Sequence, residues 1–360
     1  MLFVNRRTQT LVAGAVPIAA LATVLSLPTL TVPYAAQGPG PVFDVLSDVE
    51  GKSIISVSGS AADSELSKGT LDMTTVAVRH NLTLPQVIGL WFDRDNDIVP
   101  IEAVFPPGQS QDEVEEENKA AFTESEANAT SAALAHLGLP MEVTVAYTVP
   151  DSPVDGRLHE DDVILAVDGV AVSKPEQVKA IIAGRNPGDT VTLRVKSATV
   201  DKQKTAKGED SDPEKAVDIS VTLAENPHQK NAALLGVGMG AQSADDTKVE
   251  YQLSGIGGPS AGLMMTLGVI DKLSPGDLTE GQHLAGTGTI DAAGNVGEIG
   301  GITHKISAAR DEGAEMFFVP EGNCAEAVTA DRGDMKLVKV SVLDDALAAI
   351  EKPETAQTCS

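Results

Sequence analysis

Aromatic residues make up only 3% of this 360-residue chain, so its cores must be packed from Val, Leu, Ile and Ala. Positive charge is also scarce. Lys and Arg number 26 against 52 Asp and Glu, a net charge of −26. Such a chain repels phosphate backbones, which excludes nucleic acid as a partner class. There is no G-x-x-x-x-G-K-[ST] loop, so no nucleotide site is expected. The six histidines are scattered and no Cys-x-x-Cys occurs, so neither a metal nor another cofactor has sequence support. Only two cysteines are present, Cys324 and Cys359. Two readings stay open for them: one bridge tying down the C-terminus in an oxidising compartment, or two free thiols, one near a frayed end.

What is present begins with a long uncharged run. Residues 8–43 carry no charged side chain, Arg6 and Arg7 precede the run, and Asp44 follows it. Its core, about 25 residues, is long enough as a helix to cross a hydrocarbon layer of about 30 Å. With the arginines on the near side, the expectation is a single-pass anchor with everything after Asp44 extracytoplasmic. A cleaved signal peptide is the competing reading, with Ala20-Leu21-Ala22 as its small-x-small site.

The remaining length suggests two or three modules. "SIISVSG" and "TLDMTTVAV" read as strands, and the acidic stretch from Gln109 to Ala132 as a largely exposed helix. Beyond Leu134, two apolar runs around Asp168-Gly169 make a hairpin, and "KPEQVKAIIA" is a short helix stopped by Gly184. Two further strands flank a long charged loop. This order, with "SPVDGRLHEDDVILAVDG", resembles a PDZ domain over about residues 134–224. The resemblance implies a peptide-carboxylate loop at Leu137-Gly138-Leu139 and a strand edge open to a peptide. Asp161-Asp162 stands where the family usually has Gly-Asp.

The most informative stretch is "SGIGGPSAGLMM", Ser254 to Met265. Glycines allow close backbone approach, Pro259 suits the start of a helix, and a hydroxyl there sits beside free N–H groups and a positive dipole end. Ser260 is therefore either a nucleophile beside an oxyanion hole or a cap in a Gly-rich turn. Further on, Lys305 falls in the first turn of a helix for which Thr303 is the expected cap. A lysine is out of place there electrostatically, and the same field lowers its pKa towards the range of a general base.

"GGPSAG", "AGTGTI", "GEIGGITHKISAA" and "FFVPEGNC" together resemble the proteolytic domain of Lon-type serine proteases, strongly over about residues 230–350. The whole chain is similar to the membrane-anchored, PDZ-containing Lon-like proteases of Gram-positive bacteria, the YlbL-like group. The resemblance implies Ser260 as nucleophile, Lys305 as general base, Thr287 as the group orienting the lysine, and the backbone N–H groups of Gly257 and Ser260 as the oxyanion hole. Gly257 stands where ATP-dependent members commonly have Asp, and Thr303 where many have a first lysine. One decoy competes. Gly258-Pro259-Ser260-Ala261-Gly262 also fits G-x-S-x-G, the elbow of α/β-hydrolases, with His283 and His304 downstream as bases for an esterase.

The expected architecture is an α+β Lon-type proteolytic domain with an inserted PDZ domain and an N-terminal transmembrane helix. Its divisions are 1–43 as cytoplasmic tip, anchor and spacer, 44–133 as the first part of the protease domain, 134–224 as the PDZ unit, 225–352 as the proteolytic part, and 353–360 as a tail. The expected function is ATP-independent serine endopeptidase activity on extracytoplasmic proteins. The expected partners are peptide or protein substrates and the membrane, and the resemblance allows a homo-oligomeric ring. A catalytically silent, PDZ-bearing membrane adaptor is the alternative from another class.

Overall fold

A computed structural model of the protein describes residues 15–17, 31–49, 52–59, 67–197, 216–227, 229–244, 247–253 and 255–360. In chain order the main elements are β1 (Tyr34–Asp44), β2 (Ile55–Ser58), β3 (Thr70–Arg79), α1 (Leu84–Trp91), β4 (Asp97–Pro100) and α2 (Gln111–His136). There follow β5 (Met141–Thr148), β6 (Val163–Val167), α3 (Pro175–Ala183), β7 (Thr190–Lys196), β8 (Val217–Thr222), β9 (Val237–Ser243) and β10 (Lys248–Tyr251). The last part holds α4 (Gly262–Leu273), β11 (His283–Gly286), α5 (Ile302–Glu312), β12 (Met316–Pro320), β13 (Lys336–Val340) and α6 (Leu343–Glu351).

Two sheets organise these elements. The first has the order β13-β12-β11-β3-β1-β4. Its β13, β12, β11 and β3 are parallel neighbours, while β1 and β4 join antiparallel. Strands from before residue 101 and from residue 283 onward thus share one sheet, and strands from the chain between them form the second. That second sheet has the order β8-β7-β6-β5-β9, every pair antiparallel.

Alternation along the strands explains how the first sheet buries both faces. In "MFFVP", Met316 and Phe318 join Leu71, Met73 and Leu284 under α4. Phe317 and Val319 point the other way and join Ala285 and Leu337 under Ile302 and Ile306 of α5. Helix α4 is buried along nearly its whole length. Gly268 lets it lie against the first sheet's neighbours, since a Cβ there would come within 2.7 Å of Ile55.

The structure departs from the sequence reading at several places. "GPGPVF" is not a spacer. It belongs to β1, where the ladder with β3 shifts register between Pro39 and Val42. Proline has no N–H to give the ladder, and a bulge accommodates the two of them without ending the strand. Residues 353–360 are not a free tail. Thr358 bridges to Val338, and the Cys359 N–H donates to the Leu337 carbonyl. Cys324 and Cys359 are joined, 35 residues apart in sequence.

Helix α2 is exposed only in its first half. From Phe122 to Leu134 it buries eight residues, because it lies between α4 on one side and β5 and β9 on the other. The second sheet also extends past residue 224 to include β9. The uncharged run lies outside the described residues, except Ala15–Pro17 and the part from Thr31 onward. Among the described residues no helix is long and apolar enough to cross a membrane.

Candidate active site

The parallel strand β11 sets the position of the site. Helix α4 reaches it from one face of the sheet and α5 follows it on the other, so the start of α4, the end of β11 and the first turn of α5 converge. Ser260 comes from the first, Thr287 from the second and Lys305 from the third. Crevices beyond the carboxyl ends of parallel strands are where such sheets bind ligands.

Close approach of backbones makes the convergence possible, and glycine permits it. A Cβ on Gly286 would fall 2.7 Å from the Met264 sulfur and 2.9 Å from Phe318 Cβ. Gly301, not Thr303, caps α5. It holds φ +68 in the left-handed region that favours glycine, and a Cβ there would press on Val76 at 2.8 Å. In the serine loop, Gly258 has φ +84 and its N–H donates to the Asn118 carbonyl of α2 at 2.8 Å. Gly257 lies so near that helix that a Cβ would come within 2.9 Å of Asn118. Sequence reading missed this second contribution of α2, because nothing local to Asn118 marks it.

Lys305 Nζ lies 2.8 Å from Ser260 Oγ and 2.9 Å from Thr287 Oγ1. The Thr287 hydroxyl donates in turn to the Ser260 carbonyl at 3.0 Å, leaving its oxygen to accept from the lysine. The Gly288 N–H donates to the same carbonyl at 2.9 Å. The serine backbone and the lysine amine are therefore held by one network.

Lys305 is 2% exposed and Thr287 is fully buried. Among the described residues no carboxylate pairs with Lys305. Burial accordingly drives its pKa down to about 8. That corresponds to destabilising the ammonium by on the order of 3 kcal/mol relative to the neutral amine. The lysine is thus poised near neutrality, next to a hydroxyl, in a cleft of about 840 Å³.

Besides Ser260 and Lys305, the cleft is lined by β3 from Met73 to Ala77, by Phe43 and by Glu298. β3 pairs with β11 only from Thr70 to Met73, so its next residues present an unpaired edge to the cleft. An extended peptide could add there as a strand. The N–H groups of Gly257 and Ser260 have no acceptor among the described residues.

The two histidines of the decoy lie elsewhere. His283 Nε2 contacts Asp72 at 2.6 Å, and His304 Nε2 faces Asp97 at 3.3 Å. Neither is bonded to Ser260. Neighbouring helical residues diverge by about 100°, and it is Lys305 that faces the serine.

The carboxylate loop expected at Leu137-Gly138-Leu139 is the C-terminal cap of α2. Gly138 holds φ +65, and the Leu137, Gly138 and Leu139 N–H groups donate to the carbonyls of Ala133, Ala135 and Leu134. Leu137 and Leu139 pack on the core under α4. Their amides are spent on the helix and hold nothing else. Nor does β5 offer a free edge, since β9 pairs along it from Thr148 to Met141. The open edge of this sheet beside α3 is that of β9, preceded by Gly236 at φ +80. Leu235 and Met239 share an apolar cluster there with Val178 and Ile182 of α3. "LLGVGM", Leu234 to Met239, is the sequence signal that would have pointed to it.

Comparison with known proteins finds two domain families in the chain. Residues 254–351 match the Lon protease (S16) C-terminal proteolytic domain, and residues 113–207 match a PDZ domain. An archaeal Lon protease of Halobacterium salinarum is 31% identical over 119 residues, which are 31% of this chain and 17% of that protein. One from Methanocaldococcus jannaschii is 34% identical over 92 residues, 26% of this chain and 14% of that protein. The matched part therefore spans less than a fifth of these relatives. The solved PDZ domain of an SdrC-like protein from Listeria monocytogenes aligns at 21% identity, over 27% of this chain and 85% of that one, with a TM-score of 0.21. The two family matches place a Lon-type proteolytic domain and a PDZ domain in the chain.

A lysine that must be neutral to accept a proton, with its pKa lowered to about 8, gives a definite pH response. The rate at which a fluorophosphonate modifies Ser260 is expected to rise with pH through one ionisation near pH 8 and to level off above it. A rate independent of pH across that window would mean that Lys305 is not the group controlling the serine.

Proposed function

We propose that the protein is an ATP-independent serine endopeptidase using a Ser260–Lys305 dyad on extracytoplasmic proteins. The observation that carries this reading is the 2.8 Å contact between a buried, unpaired lysine amine and the serine hydroxyl. Neutral Lys305 takes the Ser260 proton as Oγ attacks the peptide carbonyl, and the developing oxyanion lies against the Gly257 and Ser260 N–H groups. The lysine then returns that proton to the leaving amine. A water, deprotonated by the same lysine, releases the acyl group. Thr287 holds the amine on the serine by accepting one of its hydrogens.

Replacing Lys305 by Ala or by Arg is expected to lower peptide turnover by about a thousandfold or more without ATP, since arginine stays protonated at any working pH. Ser260→Ala should do the same, while His304→Ala keeps most activity. Active Lys305→Ala beside inactive His304→Ala would return the esterase reading to first place. An inactive chain with all these residues intact would favour the silent adaptor.

The PDZ unit recruits substrate C-termini along the β9 edge in this proposal. A fluorescent peptide with a free C-terminal carboxylate should then bind more tightly than its C-terminal amide, as read by anisotropy. Equal binding of the two would remove the carboxylate from the recognition.

The uncharged run over residues 8–43 and the flanking Arg6-Arg7 support a single-pass anchor with the catalytic part outside. External protease added to intact cells should remove a C-terminal label. A protected label would overturn the orientation.

A further inference from the structure

Ser125 on α2 uses its hydroxyl differently from its neighbours. Thr130 and Ser131 donate back to carbonyls one turn earlier in the same helix, those of Glu126 and Ala127. Ser125, only 2% exposed, instead donates to the Pro259 carbonyl at 3.0 Å, 134 residues away. Space for this is kept by Gly262, where a Cβ would come within 3.0 Å of Ser125 Oγ.

The Pro259 carbonyl and the Ser260 N–H belong to one peptide unit. No cis peptide is present among the described residues, and in a planar trans unit the carbonyl and the N–H point in opposite directions. Holding the carbonyl against α2 therefore aims the Ser260 N–H away from α2. That helix contributes nothing to the cleft lining, whereas Pro259, Ser260 and Ala261 do. The cleft that these three residues line lies clear of α2. A second tether from the same helix, Gly258 N–H to the Asn118 carbonyl, fixes the Gly257–Gly258 peptide unit, two units earlier in the loop.

We infer that Ser125 is a positioning residue for the oxyanion hole: its hydrogen bond to Pro259 sets the peptide plane that presents the Ser260 N–H to the reacting oxygen and strengthens that donor. This rests on Ser260 being the nucleophile. A donor hydrogen-bonded at its carbonyl end is polarised at its N–H end. The gain is small against a neutral substrate carbonyl and large against the oxyanion of the tetrahedral state. Loss of Ser125 thus falls on kcat and not on KM. Pre-orientation also means that the plane need not turn as charge develops.

The test compares the full chain with its Ser125→Ala variant. The readouts are kcat and KM on a fluorogenic peptide, affinity for a peptide boronate, affinity for the corresponding product peptide, and Tm. A boronate captured by Ser260 carries a tetrahedral oxyanion, and the product does not. The expectation is a fall of about 10- to 100-fold in kcat, less than removing an oxyanion donor outright. Boronate affinity should fall in proportion, with KM, product affinity, Tm and the inflection near pH 8 unchanged. If Ser125→Ala does not fold, Ser125→Cys, which keeps the side-chain shape but donates weakly, carries the same comparison.

Equal kcat and boronate affinity in variant and parent would overturn the assignment. So would losses matched by product affinity and Tm, which would make Ser125 merely structural. Mass spectrometry separates the two levels. No boronate adduct on Ser260 in the unaltered chain sinks the nucleophile and this inference with it, whereas adducts of equal affinity in both chains sink Ser125 alone.

Discussion

The contact on which the site depends is Lys305 Nζ against Ser260 Oγ, made by a lysine that is buried with no carboxylate beside it among the described residues. A buried carboxylate at this position would hold the lysine charged and useless as a base. Water would do the same by solvating the ammonium. The rest of the local structure can be understood as the means of excluding both. Small residues bring β11, the serine loop and α5 together, apolar clusters cover the two faces of the sheet behind them, and Thr287 supplies a polar partner for the amine besides Ser260. The hydroxyl suits this role because it carries no charge. It satisfies a donor of the amine without raising the lysine's pKa in the way an acid would.

Helix α2 links the two sheets physically. Its buried half packs on α4 and also against β5 and β9, where a Cβ on Gly240 would meet Ala127 at 2.7 Å. Its earlier turns hold the loop ahead of Ser260 through Asn118 and Ser125. One rigid element thus touches the strand bordering the open edge of the second sheet and the loop that carries the serine. Any shift of α2 is felt at both, since packed helices move as bodies and do not deform continuously.

Much of the local chemistry was legible in the chain. Asp168-Gly169 gave a hairpin because both residues take positive φ, at +50 and +78. The apolar run "FFVP" forms a strand that sends its two phenylalanines to opposite faces, as a period of two requires. Ser260 and Lys305 stood out through their misplacement: a hydroxyl in a glycine turn and a lysine at a helix start. Where reading failed, the local pattern was ambiguous. Leu137-Gly138-Leu139 has the small-and-apolar form of an anion loop, yet the same form caps a helix, and α2 runs one turn further than its polar stretch suggested. "GPGPVF" looked like a spacer because two prolines break most strands, but β3 pairs with it on both sides of the bulge.

The sequence by itself determined which residues could do chemistry: hydroxyl, amine, the glycines that allow backbones to touch, and the absence of metal-binding or phosphate-binding motifs. It also determined the period of each strand and helix, since these follow from side chains within a few residues of one another. Only the tertiary structure decided that Lys305, and not the adjacent His304, contacts Ser260, because this depends on which helix face meets the serine, 45 residues away. It alone decided that β3 lies beside β11, that β9 closes the edge of β5, and that Ser125 reaches Pro259. Each is a pairing between segments whose own sequences are satisfied by many partners. What selects one is the joint burial of surfaces that no local window contains.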